Sequence, residues 1–333
     1  MIHAGAVVAS LARVLAVAGV LLVAPACAEH YGEHPAAAAL IDELVAEEGF
    51  DRARLEALFA RAERQDSILE AIARPAERTK PWHEYRDIFL TARRIREGRA
   101  FLARHREALA RAQAASGVPP EVVTAILGVE TFYGRITGSY AVVDALATLA
   151  FDYPPRSPFF RRELREFLLL AREQGLDPAA VDGSYAGAMG YGQFMPSSYR
   201  AYAVDFDGDD LADIWDNPVD AIGSVANYLG RHGWRAGEAV ASPAVLRGEL
   251  PAAWYAGQLE PERPVSAFAA AGLAPTRPLP PAAKAIALRL AGVDGPEYWL
   301  GLHNFYVISR YNHSKLYAMA VYQLGLALRD AER

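Results

Sequence analysis

Apolar residues recur at three- and four-residue intervals through most of the chain, which predicts a mainly helical protein. Leu40, Leu44 and Val45 form one stripe, and Leu55, Leu58 and Phe59 form another. Ser67 to Ala73 reads as a short third helix ahead of Pro75. From Trp82 to Ala115 a long arginine-rich segment places Ile88, Phe89, Ile95, Phe101, Leu102 and Leu109 at helical spacing, with its charges on a solvated face. Gly117-Val118-Pro119-Pro120 breaks that pattern. Pro119 to Gly134 then predicts a single helix, proline at its start and glycine at its end. Ala141 to Ala150 is apolar, Asp152 to Pro155 is a turn, and Pro158 to Glu173 turns Phe159, Phe160, Leu164, Phe167 and Leu168 inward. From Gly237 to Asn304 the texture changes. Val240 to Leu246, Ala285 to Leu290 and Tyr298 to Phe305 alternate or run short between proline-rich turns, which predicts a small β-containing insertion. Tyr311 to Leu328 returns to an amphipathic helix.

These patterns divide the chain into a leader over 1–28, a helical region over 29–116, a core over 117–236, a β-containing unit over 237–305 and a C-terminal helix over 306–333. Past Glu121, the helix from Pro119 is apolar nearly all round and is therefore expected to be buried. One charge, Glu130, interrupts it, with Val123, Ile126 and Leu127 on the same face. Apolar surroundings and the negative end of the helix dipole both favour its protonated form, the form a general acid requires. A buried structural Glu paired with Arg135 is the competing reading.

Composition narrows the function. Of 333 residues, 52% are hydrophobic and the net charge is -6, which fits a globular protein and argues against a nucleic-acid partner, as no basic stripe or nucleic-acid motif occurs. Val14 to Val23 is an apolar run of signal-peptide length, with Arg13 ahead of it and Ala26-Cys27-Ala28 after it. Cleavage after Ala28 gives a soluble exported protein, and cleavage before Cys27 gives a thiol open to lipidation. Cys27 is the single cysteine, so no intramolecular disulfide forms.

Gly183 to Tyr199 reads GSYAGAMGYGQFMPSSY. Neither a following Lys nor a preceding strand makes it a phosphate loop. Aromatic rings, an amide and hydroxyls on a glycine-rich backbone suit a sugar site; a glycine-lined helix crossing fits the composition equally. Asp205, Asp207 and Asp209 follow positions 1, 3 and 5 of an EF-hand loop. Gly208 at position 4, Asp210 at 6, Ala212 at 8 and Asp216 at 12 depart from that motif, and an acidic turn without metal is the alternative.

Longer blocks carry a resemblance. Gly128 to Thr131, Asp144 to Leu149, Gly187 to Tyr199, Asp220 to Tyr228 and Arg310 to Ser314 resemble the membrane-bound lytic murein transglycosylase B family of bacteria, and the match runs from about Pro35 to Ala331. The resemblance implies a lysozyme-like helical core flanked by a helical domain and a small β domain. It implies cleavage of the MurNAc–GlcNAc β-1,4 bond of peptidoglycan without water, leaving a 1,6-anhydro ring on MurNAc. Glu130 then matches the single acid/base. Ser184, Gln193, Tyr228, Tyr311, Asn312 and Tyr317 match residues around that acid or along the glycan subsites. Arg156 matches one of two neighbouring arginines near the peptide stem, and Pro155 stands where the other would be. Calcium is implied as a structural ion on Asp205, Asp207, Asp209, the Leu211 carbonyl and Asp220. Peptidoglycan strands are the implied partner, with other cell-wall enzymes and a lipid anchor on Cys27 also open. A usual hydrolase needs two carboxylates about the bond. Asp144 and Asp152 are the candidates for a second, and neither matches a functional residue of the family. A hydrolytic muramidase or a non-catalytic glycan-binding protein on the same scaffold are the alternatives.

Overall fold

The computed structural model describes residues 30–73, 80–255 and 259–329. The predicted leader with Cys27, and Pro75, lie outside these. Three short helices open the described chain: α1 (Pro35–Glu48), α2 (Arg52–Phe59) and α3 (Asp66–Ile72). Asp51 starts α2 by accepting the Arg54 N–H at 3.0 Å. The predicted stripes are buried, with Leu40, Leu44 and Phe59 at zero exposure.

The arginine-rich stretch from Trp82 is three helices, not one: α4 (Trp82–Phe89), α5 (Ala92–Arg104) and α6 (Arg106–Ser116). Two residues explain the breaks. The Thr91 hydroxyl accepts the Arg94 N–H and starts a new helix. His105 leaves helical geometry at φ -106°, ψ 24°, its ring 4.4 Å from that of Phe101.

Helix α7 (Pro120–Thr131) is buried without interruption from Val122 to Val129. It ends three residues before Gly134. Phe132, Tyr133 and Gly134 all take left-handed φ, at 53°, 62° and 83°. Left-handed backbone costs an L-residue about 1 kcal/mol or more, so packing must hold it. The Tyr133 ring fills a slot that Gly98 and Gly128 leave open, and its hydroxyl donates to the Arg94 carbonyl at 3.0 Å.

Next come β1 (Tyr140–Ala141), α8 (Val142–Asp152), α9 (Ser157–Glu173) and β2 (Asp182–Gly183), which pairs antiparallel with β1. Helices α10 (Pro196–Tyr202) and α11 (Pro218–Arg231) follow. One hydrophobic core runs through these helices.

The insertion is a five-stranded antiparallel sheet of β3 (Ala241–Leu246), β4 (Arg263–Pro264), β5 (Leu273–Pro275), β6 (Lys284–Gly292) and β7 (Gly295–Gly301), with α12 (Val265–Ala270). Its order is β4-β6-β7-β3-β5, and it has its own small core around Phe268, Leu273 and Leu300. The last strand is shorter than its apolar run suggests. Phe305 lies in α13 (His303–Tyr311), because the Leu302 carbonyl accepts the Phe305 N–H and opens a helix. The C-terminal helix is likewise split. Asn312 leaves α13 in extended geometry, and α14 (Lys315–Arg329) starts where the Ser314 hydroxyl accepts the Tyr317 N–H. Among the described residues, no helix is long and apolar enough to cross a membrane.

Candidate active site

Helix α14 lies against α7 and brings Tyr317 to the last turn of α7. The Tyr317 hydroxyl donates to Glu130 Oε1 at 2.5 Å. The Tyr311 ring stacks parallel to that of Tyr317, centroids 6.5 Å apart, and its hydroxyl donates to the Gly192 carbonyl at 2.5 Å. Burial first, and the nearby Glu130 second, push both phenols well above the ordinary tyrosine range, so they remain proton donors. Arg135, the partner weighed from sequence, binds Glu97 at 2.7 Å. Glu130 itself is half-buried.

The glycine-rich stretch is a loop between β2 and α10, not a helix crossing. Met189 and Phe194 exchange backbone hydrogen bonds across it. The Ser184 hydroxyl accepts the N–H groups of Ala186 and Ala188, and the Gln193 amide donates to the carbonyls of Thr137 and Gly190. These two predicted residues shape the loop. The loop reaches Glu130 through Tyr191, whose carbonyl accepts the Thr131 hydroxyl at 2.8 Å and whose ring packs on Gly134. Here glycine is required twice over, by φ 83° and by a ring where a Cβ would lie.

A groove of about 1140 Å³ extends from Tyr311. It brings together the predicted residues Arg156, Tyr228, Tyr311 and Asn312, and adds Tyr185, Tyr202, His232 and Arg310. Tyr228 stacks on His232 at 4.0 Å and meets Tyr202 and Tyr311 edge-on, each at 4.8 Å. Such ring faces suit the apolar faces of sugars. Sequence reading passed over His232, although it lies four residues beyond Tyr228, at the C-cap of α11. It also passed over Tyr85 of α4, buried and close enough to Tyr317 to help raise that phenol.

The candidates for a second carboxylate are engaged elsewhere. Asp144 accepts the Glu63 N–H at 3.0 Å, and Asp152 accepts the Tyr31 hydroxyl at 2.5 Å. Glu163 lines the groove, but the Ser197 N–H and hydroxyl bind its two oxygens at 2.9 and 2.7 Å.

In the acidic loop, Asp205, Asp207, Asp209 and Asp220 each place a carboxylate oxygen within 4.8 Å of the others. Asp216 lies outside that cluster, its N–H bonded to Asp213. Gly208 and Asp210, at φ 88° and 73°, curl the loop. Asp220 is fully buried in the first turn of α11 and accepts the N–H groups of Phe206 and Asp213 at 2.7 and 2.8 Å. Burial raises its pKa, whereas the N–H of Gly208 and its neighbours hold exposed Asp205 low. Four oxygen donors of one sign, one of them sealed from water, fit a hard cation such as calcium.

The pattern that defines the transglycosylase SLT domain matches residues 32–326. The chain belongs to this family. It is 47% identical over 307 residues to the membrane-bound lytic murein transglycosylase B of Escherichia coli K12, covering 90% of this chain and 84% of that one. Soluble lytic transglycosylase SltB1 of Pseudomonas aeruginosa is 53% identical with a TM-score of 0.84, over 90% of this chain and 99% of that one. Lytic transglycosylase Slt35 of Escherichia coli, solved with calcium, is 47% identical with a TM-score of 0.82, over 89% and 93% of the two chains. SltB3 of Pseudomonas aeruginosa, solved with NAG-anhNAM-pentapeptide, is 33% identical with a TM-score of 0.76, over 88% and 78%. Membership in the transglycosylase SLT family agrees with the mainly helical fold and the small sheet described above.

Proposed function

We propose that this protein is a lytic transglycosylase that cleaves the MurNAc–GlcNAc β-1,4 bond of peptidoglycan and closes a 1,6-anhydro ring on MurNAc. One observation carries the reading: Glu130, held by the Tyr317 hydroxyl beside an aromatic groove, while Asp144, Asp152 and Glu163 are engaged in structural bonds. Glu130 gives its proton to the glycosidic oxygen as the C1–O bond breaks. The substrate's own acetamido oxygen bonds C1 and carries the positive charge. The C6 hydroxyl then attacks C1, the acetamido oxygen leaves, and ionised Glu130 takes the C6 proton. Both partners of the second step belong to one sugar, so proximity supplies much of the rate. Tyr317 steadies the carboxylate between its two roles, and Tyr311 fixes the Gly192 backbone beside it.

We further propose that Asp205, Asp207, Asp209 and Asp220, with the Leu211 carbonyl, hold calcium; the ion would supply positive charge that lets four carboxylates share one loop. The leader also supports export to the periplasm, soluble or anchored at Cys27. Intact mass of protein from its native envelope separates a start at Glu29 from a lipidated Cys27. Mass spectrometry of digested peptidoglycan tests the chemistry. Anhydro-terminated muropeptides are expected; reducing-end MurNAc carrying oxygen-18 from labelled water would make the protein a hydrolase.

A further inference from the structure

Several arginines elsewhere in this molecule are held in ion pairs. Arg161 and Arg165 bind Glu43, and Arg200 binds Glu166 and Glu173. The groove is different. Arg156, at the head of α9, and Arg310, at the end of α13, both line it, and among the described residues neither makes an ion pair. The one carboxylate in the lining, Glu163, is buried under Ser197. Arg310 Nη1 lies 3.3 Å from His313 Nε2. A guanidinium only donates, so the ring nitrogen facing it accepts. Arg310 also sits near His232, whose pKa falls mainly through burial; the hydrogen bond to the Tyr228 carbonyl opposes the fall and this guanidinium adds to it. Among the described residues, a fixed positive charge and two imidazoles thus share a corner with no negative group, in a chain of net charge -6.

The corner is firmly placed. The Tyr228 hydroxyl donates to the Arg310 carbonyl at 2.6 Å, which ties the main chain at 310 to the aromatic cluster, and both side chains line the groove. A sugar resting on Tyr228 meets rings and hydroxyls; an acidic branch on that sugar meets Arg310. The sugars of peptidoglycan are uncharged, and its anionic groups are the carboxylates of the peptide branches.

We infer that Arg310, backed by His313, is a specificity residue that binds a carboxylate of the substrate's peptide branch. The inference rests on the peptidoglycan reading. It gives the groove a second cation at a distance in sequence from Arg156, in a chain where Pro155 occupies the adjacent position.

The test compares two substrates: peptide-bearing glycan strands, and strands stripped by an amidase, in which the lactyl carboxylate is freed. Arg310→Gln should raise KM for peptide-bearing strands about tenfold, with kcat nearly unchanged and stripped strands cleaved as by the wild type. Tyr228 binds the main chain of residue 310, so Tm should hold. Arg310→Lys keeps the charge without the planar fork and should give a smaller rise. A KM effect confined to stripped strands would assign the residue to the lactyl carboxylate and overturn the peptide assignment. Equal rises on both substrates, or no rise in either variant, overturn it too. Wild-type protein that cleaves neither substrate refutes the peptidoglycan reading instead.

Discussion

Glu130 and Asp220 are both carboxyl groups drawn out of water by a helix, yet their company is opposite. Glu130 stands in the last turn of α7, where the helix dipole opposes negative charge, and a phenol hydroxyl donates to it. Asp220 stands in the first turn of α11, where the dipole favours negative charge, with two backbone N–H groups and three further carboxylates around it. The first arrangement is the one proposed to carry the acid. The second fixes negative charge where nothing except a cation can answer it. On the proposed reading, placement along a helix, rather than residue type, separates the acid from the calcium ligand.

The largest effect should come from exchanging the acid. Glu130→Gln removes the proton and keeps the shape, so turnover of peptidoglycan should fall about 10³-fold or more while Tm stays within about 1 °C. Substantial remaining lysis by the pure variant would move the chemistry elsewhere. Next, Tyr317→Phe removes the hydroxyl bound to Glu130 and should lower kcat about 10- to 100-fold. Unchanged kcat would show that the phenol merely packs.

At the other carboxylate the readout is stability. Saturating calcium, compared with chelator, should raise Tm by about 5 °C through binding to the folded state. Asp207→Ala should abolish that difference and leave low-temperature turnover nearly intact. Identical melting of the wild type in both conditions would refute the site; lost activity in a folded, calcium-free protein would make the ion catalytic.

The smallest expected effect concerns His232. Its folded pKa lies below the ordinary 6.5, so the unfolded chain takes up a proton first as pH falls. The stabilisation is complete above about pH 6.5 and is lost below it, towards the folded value. His232→Asn should therefore shrink the drop in Tm between about pH 7.5 and 5.5 by roughly 1–2 °C. An unchanged drop would show that the ring titrates normally. Glu163 and Asp144, raised by burial, act in the opposite sense, and the wild-type-minus-variant difference cancels them.

What could be read in advance was whatever depends on spacing along the chain. Glu130 announced itself as one charge in an apolar helix, and the aspartates at 205, 207 and 209 as an acidic loop. The ends of elements were harder. An aromatic residue such as Phe132 is not expected in left-handed backbone, and it is tolerated because Tyr133 fills a slot left by Gly128 of the same helix and by distant Gly98. Phe305 looked like strand because apolar run length does not separate a buried strand end from a helix start. The cationic corner of the groove was hidden for another reason: His232 and Arg310 lie on either side of the inserted sheet and meet only in three dimensions.

The bond between Tyr317 and Glu130 joins residues 187 positions apart. Synthesis therefore delivers the Glu130 carboxyl at mid-chain and its hydroxyl partner near the end, after the whole inserted sheet. Contacts of such long span form late, because the loop they close must be ordered first. A chain halted before α14 keeps the acid but lacks both Tyr317 and the wall it belongs to. If Glu130 is the acid proposed above, an enzyme whose substrate is the load-bearing wall around the cell is, by its own topology, completed last at the point where it cuts.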